Sequence, residues 1–194
     1  TSLVSEGELS ILVNPYGQAK GLSKLRKQNA HIVVASKDDP GYIDSKNFPK
    51  ETFIITSPGE YEIRGVLFGA SYVGKEKTLI FRMDLENIAL GFCVGVTSVD
   101  MDAIEGTLEG VDVLFISIGG KGVLDSKHAM DVVTALEPRM VIPMEYKSNA
   151  FPISQDTIAS FSKEFGSANP TVMDKFKLTK KDLPATDRQL LLLE

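Results

Sequence analysis

The stretch Val111-Asp112-Val113-Leu114-Phe115-Ile116-Ser117-Ile118 is apolar at nearly every position. A strand with one wet face alternates apolar and polar residues, so a run this continuous belongs to a strand covered on both faces. The chain must therefore provide a layer on each side of it. The flanking sequence has the material. Asp100 to Leu108 carries helical spacing at Met101, Ile104 and Leu108. Asp125 or Ser126 can cap a helix through Leu136, with Ala129, Val132, Val133 and Leu136 on one stripe and Pro138 just beyond its end. Met140 to Pro143 reads as a second buried strand. Ser154 is placed to cap a helix reaching about Phe165, with Ile158, Phe161 and Phe165 as its apolar face. Leu190 to Leu193 closes the chain as a strand.

The first half differs in rhythm. Leu3-Val4 and Leu9 to Val13 predict two strands around a turn at Glu6-Gly7-Glu8, and Asn14-Pro15 ends the second. A short helix is expected over Leu22 to Gln28, then strands at His31 to Ala35 and Thr52 to Thr56. Tyr61 to Ile63, Val66 to Tyr72, Thr78 to Asp84 and Ile88 to Val94 are short apolar pieces separated by Gly or charged turns. The expectation is an antiparallel meander, followed by strands that alternate with helices. That order suggests two sheets with helices packed outside them.

The length of 194 residues suits a single domain, expected to span 1–194. Apolar content of 43% and charged content of 24% are those of an ordinary globular chain, which argues against disorder. With a net charge of −5 and interspersed signs there is no basic face for nucleic acid. Cys93 is the single cysteine, so no intramolecular disulfide can form, and a reducing compartment fits. No apolar run approaches membrane-spanning length and no signal-peptide pattern is visible. These features lead to an expected soluble, cytoplasmic protein, with a second copy or another protein as the candidate partner.

Three segments carry a resemblance. Ser57-Pro58-Gly59-Glu60-Tyr61-Glu62-Ile63-Arg64-Gly65-Val66 is similar to a Pro-Gly-x-Tyr-x-x-x-Gly-Val signature. Val111 to Gly120 is similar to a Val-Asp-Val-Leu-Leu-x-Pro-Val-Gly-Gly strand, and Val141-Ile142-Pro143-Met144-Glu145-Tyr146 to a Val-Ile-Pro-Met-His-Tyr strand end. In order and spacing they resemble the metallo-β-lactamase superfamily, in particular its small bacterial hydrolases related to ascorbate-6-phosphate lactonase. The resemblance implies an α/β (α+β) fold of four layers, an αβ/βα sandwich. It also implies a dinuclear zinc or manganese site fed by a His-x-His-x-Asp-His motif and later histidines.

Those ligands are not found in this chain. After the β-branched run Ile32-Val33-Val34, Lys37 and Asp39 stand where the resemblance puts the first two histidines, and Gly41 and Tyr42 replace its Asp-His. Cys93-Val94-Gly95-Val96 falls where a His-Leu-Gly-Asp segment is expected, and Glu145 replaces the His before Tyr. The loop after Tyr72 is reduced to Gly74-Lys75-Glu76-Lys77. Zinc at a hydrolytic site needs several converging imidazole, thiolate or carboxylate ligands and an open position for water. The positions of the former site therefore offer Asp39, Glu145 and Cys93, with Lys37 as a competing cation. The expected compensation is that Lys37 pairs with Asp39 or Glu145 and that Tyr42 hydrogen-bonds Glu145. No metal or other cofactor is expected and no catalytic residue is assigned.

Two functional readings stand at this point. The first is a non-catalytic binding, scaffolding or assembly protein, a pseudoenzyme on a hydrolase-like fold. The alternative is a metal-dependent hydrolase of a small phosphorylated or lactone-type substrate, working through a reworked carboxylate site. Other features read more plainly. His31 is expected at a surface or strand edge and His128 in solvent. The Cys93 thiol is expected to be buried and inert, and Lys24, Arg26 and Lys27 to form a solvated helix face. Gly119-Gly120-Lys121-Gly122 reads as a tight strand-to-helix turn, with an anion cradle as the rival.

Overall fold

A computed structural model describes residues 2–4, 9–15, 28–39, 42–148, 155–167 and 170–193. Its strands form two sheets. The smaller has the order β1 (Ser2–Val4), β2 (Ser10–Val13), β3 (Ile32–Val34), β4 (Phe53–Ile55). The larger contains β5 (Gly59–Ile63), β6 (Val66–Val73), β7 (Thr78–Leu85), β8 (Ile88–Cys93), β9 (Val113–Ser117), β10 (Met140–Met144), β11 (Thr171–Met173) and β12 (Gln189–Leu193), in the spatial order β11-β12-β10-β9-β8-β7-β6-β5.

The connections explain the pairing. β5 to β8 form an antiparallel meander, with Arg64-Gly65 and Glu86-Asn87 as two-residue turns. All four of these residues have positive φ, as the twist-matched hairpin turn requires. The expected meander does not extend further back. β1 and β2 are antiparallel, but β2, β3 and β4 pair parallel to one another. The segments joining them are long enough for the crossover that parallel neighbours need. From β8 onward the large sheet is parallel, as the alternation of strands with helices predicts.

The two sheets face each other across one apolar core. Ile11, Val13, Ile32, Val34 and Ile55 of the small sheet meet Phe68, Leu79, Phe81, Phe92, Phe115 and Ile142 of the large one. Phe81, Phe92 and Phe115 stack in a row, with ring centroids 4.6 and 4.4 Å apart. The outer face of the large sheet carries α1 (Met101–Leu108), α2 (Ser126–Leu136) and α3 (Ile158–Phe165). Ile104, Leu108, Ala129, Val132, Val133 and Phe161 pack there against Ile80, Leu114, Ile116 and Val141. Because β9 and β10 are covered on both sides, Val113–Ser117 is buried at every position. Helices on the large sheet and two facing sheets are three of the layers of the expected αβ/βα arrangement, and among the described residues the α-helices all lie on the large-sheet side. On the outer side of the small sheet, Ala30, Val33, Ala35, Ile43 and Phe48 form a third cluster, beside a 3-10 turn at Ser45–Asn47.

Helix starts follow the capping residues. Asp100 accepts from the Ala103 N–H, and Asp125, not Ser126, accepts from the His128 N–H at 2.9 Å. The N-cap of α3 is Thr157; Ser154 lies outside the described residues, as do most of the expected Leu22–Gln28 helix, the Glu6–Glu8 turn, and Lys24, Arg26 and Lys27. The sequence reading missed β11, a three-residue edge strand exposed throughout, because nothing buried marks it out. Among the described residues, no helix is long and apolar enough to cross a membrane.

Candidate functional site

β8, β9 and β10 run parallel, so their C-terminal ends open on one rim of the large sheet. In open α/β sheets that rim is where ligands sit. Gly95 follows β8, Ser117 ends β9 and Glu145 follows β10. They form one hydrogen-bond network. The Ser117 hydroxyl donates to Glu145 Oε2 at 2.6 Å. The Gly95 N–H is shared between Ser117 Oγ and the same Glu145 oxygen, at 2.9 Å to each. Ser117 is fully buried, and Glu145 is half-buried. Glu145 holds a left-handed backbone, φ 53°, uncommon for a residue with a side chain. That twist turns its carbonyl onto Gly119, where any β-carbon would collide with it and with Gln155.

The small sheet contributes from the segment after β3. The Ser36 carbonyl accepts from the Leu79 N–H at 2.8 Å, which binds that segment to β7 of the large sheet. Asn14, at positive φ, clamps Ser36 from the other side: its Oδ1 accepts from the Ser36 N–H and its Nδ2 donates to Ser36 Oγ. Lys37 follows. The expected pairing of Lys37 with Asp39 or Glu145 is not what the structure has, because its ammonium lies 3.2 Å from Glu76 Oε2. Glu76 belongs to the short turn between β6 and β7, and that turn reaches Lys37 because no longer loop intervenes.

The expected hydrogen bond from Tyr42 to Glu145 is not formed; the donors to Glu145 Oε2 are Ser117 and Gly95. The phenol lies on Gly95 instead. A methyl group at Gly95 would be 2.7 Å from the Tyr42 hydroxyl, and Gly95 has φ 76°. Lys37 Nζ lies 5.6 Å from the Tyr42 ring centre. Burial, then the charges of Glu145, Asp39 and Glu76, raise the Tyr42 pKa well above its ordinary value, so the phenol stays protonated. Asp39 is exposed, and its carbonyl accepts from the Tyr42 and Ile43 N–H groups. Gly41 lies outside the described residues.

Cys93 does not join this group. It points to the helix-covered face with Ile80 and Ile116, while its neighbours Phe92 and Val94 face the inter-sheet core. Complete burial pushes its thiol up to about 12, which suits an inert core residue. His31 is half-buried, its Nδ1 accepting from the Ser10 N–H at 3.0 Å to tie β2 to β3. His128 is exposed against Asp125 at 2.8 Å. The Gly119–Gly122 turn is lined by acids: the Asp156 carboxylate is beside Gly120 and pairs with Lys121 at 3.2 Å, and Asp125 is close by. An anion would be repelled there, so the tight-turn reading stands. Sequence reasoning missed Ser117 and Glu76. Ser117 could have been found as the one hydroxyl inside an otherwise apolar strand. Glu76 gave no signal, because its role depends on a fold-level contact.

Among the described residues, no three of the His, Cys, Asp and Glu side chains converge as metal ligands would. Lys37 adds a cation, and one Glu145 oxygen already holds two donors. This donor set does not fit the two-cation centre that the resemblance implies.

A family model described as a beta-lactamase superfamily domain matches residues 1–145. The chain belongs to that superfamily. Solved structures share the fold. A Thermotoga maritima protein assigned as a Zn-dependent hydrolase of the metallo-beta-lactamase superfamily has a TM-score of 0.75 at 22% identity, covering 99% of this chain and 93% of its own. A protein assigned as a metal-dependent hydrolase from Parabacteroides distasonis gives 0.62 at 10% identity, over 96% and 86%. A metallo hydrolase from the hyperthermophilic archaeon Ignicoccus hospitalis gives 0.58 at 18% identity, over 84% of each chain. At these identities the likeness is one of fold, and function has to be argued from the site.

Proposed function

We propose that this chain is a superfamily member that works without two-metal hydrolysis, as a binding, scaffolding or assembly domain of the cytoplasm. The observation that carries this reading is the Glu145 network. At the strand end where the family places a metal-binding histidine, the side chain accepts two hydrogen bonds from its own protein. Lys37, where the first histidine is expected, is a cation paired with Glu76. Hydrolysis needs a water or nucleophile activated by a group of suitable pKa beside an open position. Tyr42 stays protonated, the Cys93 thiol is buried and Ser117 is enclosed, so none of the three serves. The domain would act through its surface, with a second copy as the simplest partner.

The rival reading is a metal-dependent hydrolase of a small phosphorylated or lactone-type substrate, working through Asp39 and Glu145. It draws support from the hydrolases that share the fold. Metal content and turnover separate the two. The expected result is no stoichiometric zinc, manganese or iron in protein purified without added metal. No turnover of phosphodiesters, lactones or thioesters is expected with Mg²⁺, Mn²⁺ or Zn²⁺ added. Turnover that disappears in Asp39→Ala or Glu145→Ala would overturn the proposal. A strictly monomeric protein in solution would remove self-association alone.

A further inference from the structure

β5 is the outermost strand of the large sheet, at the end opposite β11. It joins β6 through the two-residue turn Arg64-Gly65, and residues flanking such a turn bond to each other. Ile63, Tyr61 and Gly59 therefore bond to Val66, Phe68 and Ala70, while the N–H and C=O groups of Glu60 and Glu62 face away from the sheet. Both glutamates are exposed, and neither carboxylate has a hydrogen-bond or ion-pair partner among the described residues. Two residues apart, they stand on the same face, the outer one. Leu67, opposite Glu62 on that face, is 53% exposed. Gly69, opposite Glu60, leaves bare backbone, with nothing within 4 Å of where a side chain would begin. The inner face carries Tyr61 and Ile63, half-buried against the inter-sheet core. There Phe53 of β4, 45% exposed, meets the Tyr61 ring edge-on at 6.3 Å.

We propose that this edge takes an extended segment of a partner protein as an added strand, one with Lys or Arg at alternate positions and apolar residues between them. The outward N–H and C=O groups supply main-chain hydrogen bonds to such a strand. Its side chains alternate between the two faces. One set meets Glu60 and Glu62, where opposite charges stabilise cross-strand pairs; the other meets Phe53 and Tyr61. The long basic stems can cross β5 toward Leu67, about 10 Å away over two strand spacings. A second copy of β5 does not fit this edge. Paired antiparallel about Tyr61, it would set each Glu60 opposite a Glu62, like charge against like. The ion pairs are exposed, so the affinity is modest and falls with salt. The inference rests on the reading above, of a domain that acts through its surface, and assigns that surface to β5.

Fluorescence anisotropy at low ionic strength tests it, with a labelled, capped peptide of alternating lysine and valine. Binding should be saturable, and about tenfold tighter than that of a peptide of the same composition with its lysines and valines in separate blocks. Glu60→Lys/Glu62→Lys should weaken it by about tenfold or more, and Glu60→Gln/Glu62→Gln by less. At saturation, amide exchange should slow by about tenfold at Glu60 and Glu62, whose N–H groups gain partners, and by under about twofold at Phe81 inside the sheet. No saturable binding, equal affinity for the block peptide, or binding indifferent to charge reversal would overturn the proposal. So would exchange at Glu60 and Glu62 that slows with protein concentration alone, which would give the edge to a second copy. Metal-dependent turnover would overturn the non-catalytic reading whatever the peptide does. Failed peptide binding without turnover would remove only the assignment to β5.

Discussion

Glu145 takes the Ser117 hydroxyl at 2.6 Å while its own backbone stands in the left-handed region, so one residue closes a network and bears a strained conformation at once. The two effects separate by substitution. Glu145→Ala loses the acceptor and keeps a β-carbon at φ 53°. It leaves the Ser117 hydroxyl and the Gly95 N–H seeking partners, and should cost about 1–3 kcal/mol in chemical denaturation. Glu145→Gly loses the same acceptor but relieves the backbone, so it should cost about 1 kcal/mol less than the alanine variant. Equal costs would mean that the twist carries no strain.

Gly119 is a glycine by contact, and Gly95 by contact and by conformation. A β-carbon at Gly119 would run into the Glu145 carbonyl, which is backbone and cannot swing away. Gly119→Ala should therefore destabilise by about 3 kcal/mol or more, at the severe end for a single substitution. At Gly95 the obstruction is the tip of the Tyr42 side chain, although φ 76° adds strain. Gly95→Ala should accordingly be partly rescued by Tyr42→Ala, a coupling that a double-mutant cycle in urea would measure. Strict additivity of the two would show that the ring does not press on Gly95.

Lys37→Met should cost under about 1 kcal/mol and less still at high salt, because the pair is open to water, with side-chain exposures of 21% for Lys37 and 59% for Glu76. A loss of several kcal/mol would place the ammonium in a buried pair with another carboxylate.

The strands and helices of the second half were legible because burial on both faces, caps and stops leave local marks: Val111 to Ile118, Asp125, Pro138. Parallel pairing of β2, β3 and β4 was not, since a short apolar run carries no sign of its neighbour's direction. At the site, the residues standing in for histidines could be read from motif register. Their partners could not. Lys37 meets a residue 39 positions away, and Glu145 one 28 positions away, so the contacts exist only once the two sheets are built. β11 left no trace because an edge strand of exposed residues looks like loop in sequence.

Asp112 gives the pH prediction, at the opposite end of β9 from the site. Its carboxylate, 13% exposed, meets Lys180 at 2.9 Å and Arg139 at 3.9 Å, and Oδ2 accepts from the Ala89 N–H at 3.0 Å. Burial works against its ionisation, but the Lys180 hydrogen bond, the Ala89 N–H and the two positive charges outweigh it and hold the pKa below the usual carboxylate range. A carboxylate whose folded pKa is depressed adds stability that is fully present above its unfolded pKa. That contribution is lost as pH falls through the folded value. Asp112→Asn should therefore lower stability at pH 7 by about 1–2 kcal/mol, with the gap between variant and parent closing as pH falls below about 4. Urea midpoints at pH 7 and pH 3 check this. A gap that persists unchanged at pH 3 would mean that Asp112 acts through packing and not through its charge.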